Sequence, residues 1–266
     1  MKFAKVKAAT VAIAKVDKLD AAVFEIVGSG VCIDSHGIIL TCQHVISAFM
    51  TMSIPDQVKD IPKSAEPQTI QTPDLIIPYA IFYHVNSHGR LMAFPCRVDQ
   101  ILCSTEQDIG LIRALPHVAL PNGYPFLEVE EYSEVHEGLQ IGTCGFPLGN
   151  LLKEQIGAAT SSFTFGSIST VSPYEGVPRE HLKAFQLDLT ATHGNSGGPV
   201  FNQANQKVIG VLQGGVVHPQ GFLQPGLVRC EPAYKFLAGN EIQFLKDRAL
   251  GDTNVDLEKL KQLQKR

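Results

Sequence analysis

From residue 6 to about 230 the chain is a series of short apolar runs, rich in β-branched residues and closed by Gly, Pro, Asn or Ser. The runs are TVAIAKV, AAVFEIV, GVCI, GIILT, CRVDQILC, IGLIRAL, LQIGTCGF, SSFTFGSISTV, AFQLDL, GPVF and KVIGVLQGGVV. Segments of this length and spacing predict an all-β barrel or sandwich, with a first strand over residues 6–16. No long helical pattern alternates with them, which disfavours a parallel α/β sheet. The chain's 23 glycines fit tight corners and bulges, where a Cβ would be strained.

Three stretches break the pattern. Residues 53–78 carry Pro55, Pro62, Pro67, Pro73 and Pro78 among polar residues and read as a long surface insertion, neither central strand nor continuous helix. Residues 116–135 collect three prolines and an acidic run, placing a connection between a first barrel over about 6–115 and a second over about 136–230. After Cys230 the chain turns helical: Pro232 suits a first turn, and Leu257, Leu260 and Leu263 recur every three residues, so residues 231–266 form a helical tail.

Composition narrows the function. Lys and Arg total 22 against 26 Asp and Glu, a net charge of -4, and no basic run suits a phosphate backbone, so nucleic acid is excluded as a main partner. Every apolar run is interrupted before the roughly 18 to 20 residues that cross a bilayer. The amino terminus, MKFAKVKAATVAIA, resembles a secretory leader only superficially, because Lys15, Asp17, Lys18 and Asp20 stand where a cleavage region should be uncharged. Six cysteines without a C-x-x-C pair predict free thiols and no metal site. These features together predict a cytoplasmic protein without membrane contact and without a cofactor.

The segment HGNSGGPV, residues 193–200, lies between two β runs. Gly194, Gly197 and Gly198 permit a tight bend that presents Ser196 Oγ at a surface while amide groups turn inward. A serine hydroxyl is a weak nucleophile, so the bend matters only beside a base and donors for an oxyanion. GIILTCQHVISAF sets His44 in a short helical turn just after an apolar strand, and CSTEQDIGLIRAL sets Asp108 at the entry of another, where its carboxylate can fix the His44 tautomer through Nδ1–H. Each motif alone is ordinary: such a turn is most often only a turn, and most of the nine histidines are solvated surface groups.

In the order His44, Asp108, Ser196, however, TCQHVI, QDIGLIRA and GNSGGPVF resemble the three catalytic motifs of trypsin-like (chymotrypsin-fold) serine proteases, closest to the HtrA/Deg type. GSGVCIDSHGIILTCQHV, GFPLGN, FGSIST and QLDLTATHGNSGGPVF extend the likeness over roughly residues 25–230. The resemblance implies two perpendicular six-stranded antiparallel barrels, with His44 and Asp108 from the first and Ser196 from the second. It implies a serine endopeptidase, with the amides of Gly194 and Ser196 as oxyanion hole and Asn195 shaping the turn. By the same likeness Thr190 falls at the base of the primary pocket, and Gln213, Gly214 and Gly215 on the strand that pairs with substrate; His193, beside the oxyanion turn where HtrA proteins commonly have Pro, departs from the pattern and is either a substrate-binding residue or an exposed rim residue.

With no carboxylate at position 190, a preference for Lys or Arg is disfavoured, leaving small or medium apolar side chains. The stretch after Cys230 is too short for the PDZ domain of most HtrA proteins, so regulation would be simpler or come from a protein partner. No Ile-Val-Gly-Gly start suggests a cleaved zymogen, and a loop within 150–162 or 172–183 is the alternative device for ordering the pocket. A protease-like adaptor that is catalytically silent stands as the second reading. An esterase or acyl transferase is a third, without the G-x-S-x-G elbow of α/β-hydrolases to support it.

Overall fold

The computed structural model describes residues 2–17, 24–50, 76–85, 88–104, 106–147, 149, 159–217, 223–237 and 239–249. Twelve strands close into two six-stranded antiparallel barrels. The first barrel comprises β1 (Thr10–Asp17), β2 (Phe24–Asp34), β3 (Ile38–Thr41), β4 (Ile76–Val85), β5 (Leu91–Cys103) and β6 (Gly110–Ala114), in the order β1-β2-β3-β6-β5-β4. The second comprises β7 (Gln140–Gly145), β8 (Ser162–Ser172), β9 (Ala184–Asp188), β10 (Pro199–Asn202), β11 (Val208–Val217) and β12 (Leu223–Pro232), in the order β10-β11-β12-β9-β8-β7. Residues 115–139 join them. The helices are α1 (Ala4–Ala9), α2 (Gln43–Met50), α3 (Ala233–Phe236) and α4 (Glu241–Asp247). Among the described residues no helix is long and apolar enough to cross a membrane.

Burial follows the composition of each strand. In β9, Phe185 and Leu187 point into the second core while Gln186 and Asp188 face outward, the period-two alternation of a strand covered on one face. Every residue of β3 (IILT) and of β6 (GLIRA) is buried, so these strands have no solvent face. Residues of both barrels share one cluster: Ile38, Leu40 and Val45 of the first are continuous with Cys144, Phe201 and Val211 of the second. The two barrels are therefore fused through an apolar seam, and groups on either side of it are held at fixed separation.

Three boundaries depart from the sequence reading. Residues 6–9 are helical, and β1 begins at Thr10. AKVKAA is built mainly from Ala and Lys, which favour helix, and buries Val6 and Ala9 at a spacing of three; the run rich in β-branched residues begins at Thr10. Just ahead of this helix, Phe3 packs on Phe163, Phe165 and Phe201 of the second barrel, at ring-centroid distances of 5.8, 5.3 and 5.5 Å. The Pro-rich stretch ends sooner than expected, because Ile76–Val85 is a strand with Pro78 inside it, paired with Lys15. The pairing of β4 with β5 starts only at Tyr79, so Pro78 lies outside that second ladder. Residues 51–75 lie outside the described residues.

β12 runs on to Pro232, which serves as N-cap of α3. Helix α4 buries Phe244 and Leu245 against the first barrel. Its C-terminal end is held by Arg113, whose guanidinium donates to the carbonyls of Leu245 (2.6 Å) and Arg248 (2.7 Å) and, through Nε, to Asp99 (2.9 Å). A buried cation at that position satisfies orphan carbonyls and opposes the negative end of the helix dipole. Leu257, Leu260 and Leu263 lie outside the described residues.

Candidate active site

The site lies at the seam, and its first half comes from the first barrel. β3 ends at Thr41, and after Cys42 the chain enters α2 at Gln43, placing His44 in the first turn of the helix. Val45 and Ile46 are buried, which anchors the helix and leaves the His44 side chain half exposed. Asp108 stands two residues before β6, with only 19% of its side chain accessible. Both carboxylate oxygens serve His44: Oδ1 accepts the backbone N–H at 2.9 Å, and Oδ2 accepts from Nδ1 at 2.7 Å. This two-point pairing fixes the ring orientation and the Nδ1–H tautomer, which leaves Nε2 as the basic nitrogen.

The second half is the bend before β10. Gly194 and Gly197 have φ of +94° and +84°, a region open to glycine and strained for other residues. The Asn195 carbonyl accepts from Gly198 N–H at 3.0 Å, so the Ser196 N–H on the same peptide plane points the opposite way. Among the described residues neither the Gly194 nor the Ser196 amide has a partner in the protein, which leaves two donors open beside the half-buried Ser196 side chain. Asn195 is 5% exposed, and its Oδ1 has no hydrogen-bond partner among the described residues.

The Ser196 hydroxyl donates to the Gln213 carbonyl at 3.0 Å, whereas the His44 ring is bonded to Asp108. A local irregularity in β11 explains the acceptor. The pairing with β12 passes from Leu212–Cys230 directly to Gly214–Arg229, so Gln213 is left out of the ladder and its carbonyl faces the serine. The structure thus joins His44 to Asp108 and Ser196 to Gln213. Val45, the residue after His44, comes close to the Ser196 main chain: a Cβ on Gly28 would touch both the Val45 side chain and the Ser196 carbonyl oxygen, at 2.7 and 3.0 Å. Gly214 and Gly215 are half-buried on β11, while Thr190 and His193 are exposed. Residues 150–158 lie outside the described residues. The 172–183 loop is tied down by Arg179, which donates to the carbonyls of Tyr234 (2.6 Å) and Leu237 (3.1 Å) beside α3.

Cys42 Sγ, a His44 nitrogen and an Asp108 oxygen lie within 4.8 Å of one another, a sulfur, nitrogen and oxygen set of the kind zinc takes. The thiol, however, is fully buried and donates to the Leu212 carbonyl at 3.3 Å, and burial pushes its pKa well above the ordinary range. All six cysteines are free, each with its pKa raised by burial; that of Cys103, close to Asp108, is pushed up to about 12. They are inert thiols near neutral pH.

Residues 28–211 match the family model of the trypsin-like peptidase domain, a span that includes His44, Asp108 and Ser196. The chain belongs to the trypsin-like peptidase family. The fold of this trypsin-like peptidase is shared with the crystal structure of Deg5, at 18% identity and TM-score 0.59, over 93% of this chain and 94% of that one. It is shared with the apo MamO protease domain from Magnetospirillum magneticum, at 15% identity and TM-score 0.54, over 89% and 97% of the two chains. A serine endoprotease from Yersinia pestis aligns at 16% identity and TM-score 0.54, over 92% of this chain and 66% of that one. No curated protein sequence matches the chain.

Proposed function

We propose that the protein is a serine endopeptidase that hydrolyses peptide bonds through an acyl-enzyme. The observation that carries this reading is the two-point grip of Asp108 on His44, which holds the imidazole by its Nδ1 side and leaves Nε2 to act as the base. Rotation of the Ser196 side chain from the Gln213 carbonyl to another staggered position gives Nε2 its proton. Oγ then bonds to the scissile carbonyl carbon, and the amides of Gly194 and Ser196, with Asn195 shaping the turn between them, take the oxyanion. His44 returns the proton to the leaving amine, and water repeats the sequence on the ester. A protein or peptide lies along Gln213, Gly214 and Gly215, with Thr190 and His193 bounding a pocket for small or medium apolar side chains.

The second reading, a silent adaptor with a protease fold, is favoured by one observation: the Ser196 hydroxyl is hydrogen-bonded to Gln213 and not to His44. Digestion of casein with mapping of the new termini separates the two. The peptidase reading predicts internal cleavage after small or medium apolar residues, abolished by Ser196→Ala. Binding of casein without new termini would establish the adaptor, and cleavage of simple esters alone would establish an esterase.

A further inference from the structure

We infer that Ser29, on β2 of the first barrel, is a positioning residue that builds the oxyanion turn of the second barrel. Ser29 is fully buried, and each of its four hydrogen-bonding functions is engaged at the seam. Its hydroxyl donates to the Gly194 carbonyl at 2.7 Å and accepts from Phe146 N–H at 3.0 Å, just beyond β7. Its backbone N–H donates to the Ser196 carbonyl at 2.8 Å, and its own carbonyl accepts from Thr41 Oγ1 at 2.7 Å. One residue of the first barrel therefore holds the Gly194 and Ser196 carbonyls, one between the two open amides and the other just after the second. Thr41, which steadies Ser29, lies three residues before His44, so nucleophile turn and base are referenced to the same point.

The flanking glycines are what allow this approach. A Cβ on Gly28 would press on Val45 and the Ser196 carbonyl, and one on Gly30 would press on Ile39, Ile13 and Val11. On the opposite face, a Cβ on Gly197 would run into the Ser29 carbonyl and Thr41 Oγ1. Gly28 of one barrel and Gly197 of the other thus let the two backbones meet, and among the described residues the Ser29 hydroxyl is the side-chain group that reaches across to Gly194. Its loss leaves the Gly194 carbonyl and the Phe146 N–H unpaired inside the protein and releases the Gly194–Asn195 peptide plane. Displacement of an oxyanion donor by a fraction of an ångström is felt in the transition state far more than in ground-state binding.

The inference rests on the reading of Ser196 as nucleophile, and its test has one readout that does not. In Ser29→Ala, kcat for a peptide substrate falls about 10- to 100-fold while KM stays within about twofold. Affinity for a peptide aldehyde, which forms a tetrahedral adduct, weakens by the same factor as kcat/KM, and Ser29→Cys recovers part of the loss. Independently of turnover, amide hydrogen exchange at Asn195 and Gly198 quickens at least about tenfold, while exchange in β3 and β6 is unchanged. If Ser29→Ala does not fold, Thr41→Val, which removes only the bond to the Ser29 carbonyl, carries the same tests with about a three- to tenfold loss of kcat. Unchanged kcat and exchange in a folded variant, or a loss that appears in KM alone, overturns the inference. A wild type that cleaves nothing refutes the peptidase reading, and the exchange measurement then decides the role of Ser29.

Discussion

Asp108→Asn lowers kcat by up to about 10⁴ with the fold intact. The geometry explains why so small a change has so large an effect. Asp108 Oδ1 accepts the His44 backbone N–H at 2.9 Å, one of the first-turn donors of α2 that have no partner within the helix. The amide oxygen of Asn must take that place, because an NH₂ group there would face another donor. Its nitrogen then faces Nδ1, and a donor at Nδ1 selects the tautomer with the proton on Nε2. The ring keeps its position but presents a proton to Ser196 where a lone pair is required. Steady-state kinetics on a peptide, beside a thermal melt of the same sample, checks the prediction. Turnover within tenfold of wild type would show that Asp108 only anchors the helix.

Gly197→Ala is expected to destabilise the protein by at least about 3 kcal/mol and to remove activity. Two costs coincide at this position. Its φ of +84° strains any residue with a Cβ. The added methyl would also collide with the Ser29 carbonyl and Thr41 Oγ1 and crowd Cys42 N at 3.2 Å, and all of these are fixed groups of the seam. Gly138 isolates the first cost: its φ is +82°, and nothing lies within 4 Å of a Cβ there. Gly138→Ala should cost only about 1 to 2 kcal/mol and leave kcat unchanged. Urea unfolding of the two variants measures the difference, and equal losses would mean that the seam is not closely packed around Gly197.

Ten of the twelve strands are legible as apolar runs, because closely spaced β-branched residues punctuated by glycine leave few alternatives. The AAVFEIV and GVCI runs belong to one strand, β2, and are separated in the sequence by Gly28 and Ser29, whose small size serves the seam. The two strands that no apolar run marks, β4 and β12, carry Pro78 and Pro225. Proline marks a break in most strands, and it is tolerated in β4 only where one ladder has yet to begin. Helix α1 was hidden for another reason: AKVKAA joins TVAIAKV without a stop signal, so the change of period is visible only in burial.

The candidate site divides along the same line. His44, Asp108 and Ser196 stand in motifs whose chemistry is local, and Asp108 meets His44 through two hydrogen bonds. Ser29 stands in the GSG run that carries part of the family likeness, but that run does not tell its role. A serine between glycines acquires meaning only from Gly194 and Ser196, 165 or more residues away, and the distance is bridged by barrel closure and not by any periodicity. The Gln213 carbonyl is similar, since it faces Ser196 because β11 slips one residue against β12, a detail of pairing that residue types do not encode.

The most direct test of the central claim is mass mapping of the native protein after treatment with a fluorophosphonate, which phosphonylates a serine only when a base takes its proton and donors hold the oxyanion. The account predicts one adduct, on the peptide that contains Ser196, absent from Ser196→Ala and strongly slowed in Asp108→Asn. A folded wild-type protein that takes up no label, or carries it elsewhere and retains it in Ser196→Ala, would contradict the account.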